Sequence, residues 1–360
     1  MSKRVFDRKR RQFLKTGLMA VGTAALDAVL PETSEANRPS AEETIPLRDF
    51  GKTGCRLPIL GMGGSAMVAA WIAQRGVPLL GTEERVAMVR HAYNRGVRFF
   101  DTARVYQESE SIMGKGLEGV RDNVFLATKV AVAEPAQVRK SLEESLRQLD
   151  TDRVELVQIH SPAIEKLGFS GAMKLHAELV KLRDEKLFRF IGLTTHVAFE
   201  TVCQMIATGG FDQVLLAYGY FKKGMDTLLS PQNLEFREMC LAKARDLKMA
   251  IVAMKVMGGS VFNHNAKNLV PDYDKDALEQ LPGAAIRWVV RDERISMLNI
   301  GVSLPADIDR NVAILGGDLT FTNSDRVLLA EFSRRVYDTQ WSKKMPVVQE
   351  GRQKSHTPLC

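Results

Sequence analysis

Eight short apolar segments, separated by stretches of helical periodicity, constrain this chain more than any other feature. They are PILGMG (58–63), VRFFDT (97–102), NVFLATK (123–129), VELVQIH (154–160), FRFIGLT (188–194), QVLLAY (213–218), MAIVAMK (249–255) and SMLNIG (296–301). Each is rich in Val, Ile, Leu or Phe and lacks the alternation of a half-exposed strand. Strands of that kind are buried on both faces of a parallel sheet. Between them, EERVAMVRHAYNRG repeats apolar residues at three- and four-residue spacing and stops at Gly96. PAQVRKSLEESLRQLD opens on Pro135 and keeps Val138, Leu142, Leu146 and Leu149 on one face, the pattern of an amphipathic helix. AMKLHAELVKLRDEKL and FREMCLAKARDLKM behave likewise. Eight strand–helix units over roughly 250–280 residues fit an α/β fold of the (β/α)8 barrel type. Ahead of them, IPLRDF and CRLPIL flank GKTG, a hairpin with glycines at its turn. A doubly wound sheet would need a glycine fingerprint at its first turn. GMGGSA (61–66) imitates one, but no acidic residue ends a second strand at the right distance, and Glu83 and Glu84 fall inside a helix.

Composition narrows the function. The chain is 45% hydrophobic and 26% charged, as a globular domain is. Its formal charge is +7, but residues 1–36 carry a net +3 of that, and no basic block with interleaved aromatics follows. Nucleic-acid binding is therefore not expected. Cys55, Cys203, Cys240 and Cys360 lie far apart with no C-x-x-C pair, which argues against zinc-ribbon and iron–sulfur sites. The amino terminus, RKRRQFLKTGLMAVGTAALDAVLP, joins a basic stretch to an apolar run too short for an ordinary membrane span. It resembles a bacterial twin-arginine signal on Arg10, Arg11, Phe13, Leu14 and Lys15. That resemblance implies the twin-arginine export machinery as a partner and a periplasmic location, with an uncleaved amino-terminal anchor as an alternative. Residues 1–36 are then signal and linker start, 37–44 a linker, 45–336 the barrel and 337–360 a polar tail.

Barrel enzymes carry their chemistry at the carboxyl ends of the strands. Those ends present Asp101 with Tyr106 on its loop, then Lys129, then His160. Each has a plain reading: a helix cap, a half-buried aromatic, a snorkelling lysine, a structural histidine. Four polar groups at neighbouring strand ends suit one chemistry together. A phenol is a poor acid at neutral pH, a nearby ammonium favours its anion, and a carboxylate holds the ammonium charged and placed. A histidine can orient a substrate oxygen. The set suits protonation of a carbonyl oxygen while hydride, which side chains cannot supply, comes from a cofactor.

On these residues the chain resembles the aldo-keto reductase family from about Ile45 to Leu315. The pattern D-T-A-x-x-Y-x-x-S-E is present as Asp101, Thr102, Ala103, Tyr106, Ser109 and Glu110, and ATK and VQIH supply the lysine and histidine. FGKTGCRLPILGMGG matches the family's hairpin at the barrel bottom and its first strand. The resemblance implies Tyr106 as proton donor, Asp101 and Lys129 tuning it, His160 placing a small-molecule carbonyl, and a nicotinamide dinucleotide, usually NADP, across the carboxyl-end face. Gly63, Gly64, Lys255, Gly258, Gly301, Ser303 and Asn311 fall in segments that would contact it.

The pattern departs from the family in places. GLTTH puts Thr194 and Thr195 where a serine and an asparagine are usual, and Leu215 stands at an expected glutamine. Tyr218 follows and is expected to stack on the nicotinamide, with a core aromatic as its plain alternative. Asp307 stands where many members carry an arginine or glutamine near the adenosine ribose. A carboxylate there would repel a 2′-phosphate and accept from a 2′-hydroxyl, which weakens the NADP default without establishing NAD; Arg310 lies close enough to compensate, and an acidic residue at an exposed helix start is the plain alternative. The competing function is a non-catalytic member of the same fold, sensing cofactor or binding a partner. A metal-dependent barrel hydrolase would need clustered His, Asp or Glu at strand ends, and only His160 and His196 lie there. The pocket is expected from the Met67–Gly81 loop, the Glu108–Ser111 loop and the tail.

Overall fold

The computed structural model describes residues 44–70 and 77–348. The expected hairpin forms from β1 (Leu47–Asp49) and β2 (Arg56–Pro58), antiparallel with Leu47 opposite Pro58. The eight apolar segments become β3 (Leu60–Gly63), β4 (Phe99–Asp101), β5 (Phe125–Val130), β6 (Val154–Ile159), β7 (Phe188–Thr195), β8 (Gln213–Ala217), β10 (Ala250–Met254) and β11 (Met297–Gly301). They close a barrel in the order β10-β11-β3-β4-β5-β6-β7-β8, with every neighbour parallel. Short β9 (Leu228–Leu229) lies in the loop after β8.

Helices fill the connections: α1 (Thr82–Asn94), α2 (Ser109–Gly116), α3 (Val138–Gln148), α4 (Ser161–Asp184), α5 (Phe199–Ala207), α6 (Pro231–Asp246), α7 (Ala266–Leu269), α8 (Lys275–Val290) and α9 (Pro305–Gly316). The chain is thus a (β/α)8 barrel. One helix differs from its sequence pattern. Amphipathic spacing marked it from Ala172, but α4 begins at Ser161 with Pro162 in its first turn, where a missing N–H costs nothing. A break at Gly168 (φ 62°) separates that first segment from the patterned one.

The core has two layers. Between strands and helices lies a continuous apolar shell that includes Val89, Leu142, Leu179, Ile206, Leu241 and Ile286. Inside the barrel sit Phe99, Phe125, Leu156, Leu215, Val252 and Met297, and Phe50 enters among them from the hairpin. The Phe50 ring lies 5.5 Å from that of Phe99 and 5.0 Å from that of Phe125. Arg48 fastens the hairpin by donating to Ile295 O (2.5 Å) and Val290 O (2.7 Å).

Folding continues beyond the expected barrel end at residue 336. Helix α10 (Asn323–Asp338) runs through Tyr337, followed by α11 (Gln340–Lys343) and β12 (Val347–Val348). β12 pairs parallel with β9, and Tyr337 stacks on Phe221 at 4.6 Å. Part of the tail is therefore a built cover for the loop after β8, because an aromatic pair and a strand pairing hold it there. The twin-arginine segment, the linker up to residue 43 and Cys360 lie outside the described residues. Among the described residues no helix is long and apolar enough to cross a membrane.

Candidate active site

Asp101 ends β4 and Lys129 lies near the end of β5, so both reach the carboxyl-end face from inside the barrel. Lys129 Nζ donates to Asp101 Oδ2 at 2.5 Å and to Thr102 O at 2.7 Å. Both side chains are buried, at 1% and 4% exposure, so the pair is held away from water. Two amides complete the carboxylate's shell. Gln158 Nε2 donates to Asp101 Oδ1 (2.6 Å) and Asn299 Nδ2 to Asp101 Oδ2 (3.0 Å). Asp101 caps no helix; all its observed partners belong to this cluster.

Tyr106 lies on the loop between β4 and α2. Its N–H donates to Ala103 O, and Ser109 N–H donates to Tyr106 O, both at 2.9 Å. Ser109 Oγ pairs with Thr102 Oγ1 (2.9 Å) and donates to Gly64 O (3.1 Å). Glu110, fully buried, accepts from Thr128 Oγ1 at 2.7 Å and pairs with Arg104. The motif's Thr, Ser and Glu therefore shape the loop that aims the tyrosine. Its hydroxyl lies 3.3 Å from His160 Nε2, and Lys129 Nζ lies 4.9 Å from its ring centroid.

Electrostatics correct one expectation. The lysine was expected to lower the phenol's pKa, but Tyr106 is pushed up, first by burial and then by the negative charge of Asp101. The ammonium is already paired with that carboxylate, so little net positive charge reaches the phenol. Burial likewise lowers the Lys129 pKa, while Asp101 and Glu110 oppose the fall. His160 is pushed down to about 3 by burial and then by Lys129, so it is neutral near pH 7.

The expected cofactor residues divide. Gly258 (φ 60°) and Gly259 (φ 67°) follow β10 in the left-handed region that glycine adopts without strain. Lys255 shares that region at φ 64°. Gly301 is exposed at the end of β11. Thr195 Oγ1 is buried with no partner, whereas Thr194 Oγ1 accepts from Ser161 N (2.8 Å) and so caps α4. Gly63 and Gly64 serve packing: a Cβ on the first would lie 3.2 Å from Asn299 Oδ1, and on the second 2.4 Å from Ser109 Oγ. Ser303 is buried just ahead of α9 and Asn311 within it.

Two placements differ from expectation. Tyr218 stacks on Trp288 (5.1 Å) and donates to Asp292 Oδ2 (2.6 Å), so it is a core aromatic and does not face the barrel mouth. Tyr218 shares the outward parity of Val214 and Leu216, so its side chain packs in the outer shell against Trp288 of α8 and Arg237 of α6. Leu215 packs inside the barrel, and the buried amide of that strand is Gln213, two residues earlier. Asp307 is buried rather than open to a ribose. Its Oδ2 accepts from Ser303 N and Leu304 N, both at 3.0 Å, and from His264 Nε2 at 2.9 Å. Burial raises its pKa, but His264 and these amides outweigh that and lower it. Arg310 lies 3.7 Å away and is 39% exposed.

Sequence reasoning missed Gln158, Asn299 and His264. The first two carried a signal: an amide inside a strand buried on both faces is costly unless partnered.

Known proteins bear on the assignment. A model described as "Aldo/keto reductase family" matches residues 61–327. This chain belongs to the aldo-keto reductase family. It is 27% identical over 310 residues to L-galactose dehydrogenase of Arabidopsis thaliana, spanning 80% of this chain and 93% of that protein. Among solved structures, an aldo-keto reductase from Bacillus halodurans in its holo form superposes with a TM-score of 0.61 at 16% identity, covering 83% of this chain and all of that one. One from Pseudomonas aeruginosa gives 0.56 at 21% identity, covering 75% and 94%. At such identities both bear on the fold alone.

The residues of this aldo-keto reductase fit a nicotinamide dinucleotide. His196, buried after β7, is held neutral by burial and then by Lys255, His160, Lys223 and Lys129. Lys255 and Lys223 bring positive charge that suits a pyrophosphate, the glycine pair admits close backbone approach, and the orphaned Thr195 hydroxyl offers a polar contact.

Proposed function

We propose that this aldo-keto reductase reduces a small-molecule aldehyde or ketone to the alcohol, or runs the reverse oxidation, with Tyr106 as the proton-transfer group. The observation that carries the reading is the Tyr106 hydroxyl, 3.3 Å from His160 Nε2 and above the buried Lys129–Asp101 pair. When bound, the dinucleotide supplies the hydride that a carbonyl carbon accepts. Tyr106 gives its proton to the carbonyl oxygen as that oxygen gains negative charge. Its raised pKa keeps it protonated across the neutral range, so it waits for a strongly basic oxygen. His160, being neutral, orients that oxygen without adding charge. Lys129, held in place by Asp101 and 4.9 Å from the Tyr106 ring, offsets part of that carboxylate's charge on the phenolate left behind. The relative named L-galactose dehydrogenase supports including the oxidative direction. The non-catalytic alternative is not favoured, because all four groups are in contact or within reach of one another.

The cofactor preference in this reading is NAD. Asp307 already fills the first-turn amides of α9 with a carboxylate, and a 2′-phosphate brought there would meet like charge. Titrations of NADH and NADPH into the protein, followed by intrinsic fluorescence, should show at least tenfold tighter NADH binding. Tyr106→Phe should bind the dinucleotide normally and lose about 10²–10⁴-fold in carbonyl reduction. Unimpaired reduction by that variant would remove the proposed acid. We also propose twin-arginine export; a paired Arg10→Lys, Arg11→Lys substitution should abolish it, and unchanged export would refute the reading.

A further inference from the structure

We propose that Gln158 and Asn299 are positioning residues that clamp Asp101 from both sides, fixing the Asp101–Lys129 pair beneath the proton donor. The proposal rests on the reductase reading. Neither residue belongs to the four-residue set. Each gives its one observed hydrogen bond to Asp101, on opposite carboxylate oxygens, at 2.6 Å and 3.0 Å. With Lys129 Nζ at 2.5 Å, the carboxylate accepts from three donors out of three different strands. Gln158 is 0% exposed and Asn299 7%. Burying an amide is unfavourable unless it finds a partner, and both spend theirs on one carboxylate.

The barrel is cut to allow this reach. Asn299 lies on β11, and β3 stands between it and Asp101 on β4. The amide crosses β3 above Gly63, which stands beside Asp101 in the sheet register. A Cβ on Gly63 would sit 3.2 Å from Asn299 Oδ1, tighter than ordinary contact. On the other flank Gln158 neighbours Lys129 on β5 and Gly192 on β7. A Cβ on Gly192 would meet Gln158 Cγ at 3.0 Å and Gln213 Oε1 at 2.2 Å. Two glycines thus open the interior where two amides must pass.

The clamp acts on Lys129 through Asp101. The groups facing this ammonium are Asp101 on β4, Glu110 on α2, Tyr106 on the intervening loop, His160 after β6 and His196 after β7. Burial works against the charged lysine, and Asp101 is the larger of the two acids that oppose it. A carboxylate free to rotate or less firmly charged opposes burial less, so Lys129 would lose its proton at lower pH.

Asn299→Leu and Gln158→Met, close in volume to the native residues, test this. With lysine labelled at Cε, NMR titration of each variant should show Lys129 losing its proton at least half a pH unit below the native protein. The alkaline limb of kcat should shift in the same direction, and kcat should fall about tenfold with dinucleotide binding unchanged. Circular dichroism and thermal melts establish that each variant is folded, and the second stands if the first does not fold. An unmoved Lys129 titration in a folded variant overturns the clamp whether or not activity is present. A native protein without reductase activity, but with the Lys129 shift in the variants, would overturn the reductase reading and leave the clamp standing.

Discussion

At the scale of single residues, the buried histidines couple this site to stability. His160 titrates at about 3 in the fold, and His196 well below its ordinary 6.5. Below pH 6.5 the unfolded chain takes up protons that the folded chain refuses. Their contribution is therefore complete above that pH and is lost on acidification. Each histidine costs about 1.4 kcal/mol per pH unit, for His160 until the pH nears 3. Urea unfolding of His160→Gln at pH 7 and pH 5 should show a shallower loss than the native protein, by about 2 kcal/mol over that interval. Equal losses would mean that His160 is protonated in the fold. Asp101, Lys129 and His160 were legible in the sequence because each is a reactive type at a strand end, and Tyr106 because it follows Asp101 within five positions.

At the scale of elements, the hairpin ahead of the barrel is a plug. Phe50 is fully buried against Phe99 and Phe125, and Arg48 anchors β1 to the carbonyls between α8 and β11. Phe50→Ala removes a ring from a close-packed interior and should destabilise the fold by about 3–5 kcal/mol, measured by equilibrium unfolding. It should leave Tyr106 and His160 in register, since they lie at the other end of the strands. A loss below about 1 kcal/mol would show that the plug does not close the barrel. The hairpin was legible from GKTG and its flanks. The covering of the β8 loop by Tyr337 of α10 and by β12 was not, because a two-residue strand and one aromatic stack leave no periodic trace.

At the scale of the whole molecule, the site is spread over strands from both ends of the chain. Asp101 on β4 and Asn299 on β11 are bonded across 198 sequence positions. A ligand that binds only the closed barrel must therefore stabilise the whole chain. At one hundred times its dissociation constant, NADH should raise the unfolding free energy by about 2.7 kcal/mol. Tyr106→Phe should keep that stabilisation, and NADPH at the same concentration should give less. Thermal melts at graded concentrations check all three, and no shift with either dinucleotide would contradict the proposed cofactor.

By itself the sequence determined the barrel and pointed to Asp101, Tyr106, Lys129 and His160, which the fold brings together. Strand runs buried on both faces admit few architectures, and the family's motif residues are local words read within a dozen positions. Tertiary structure alone decided which polar groups are spent on the fold and which remain for chemistry. Tyr218, read as a stacking platform, is used up on Trp288 and Asp292; Asp307, read as a ribose contact, is used up on its own helix and His264. Gln158 and Asn299 passed as ordinary strand residues until closure brought them to one carboxylate. The direction of the Tyr106 shift belongs here as well. It depends on burial and on the sum of two opposite charges, quantities that exist only once the barrel has closed.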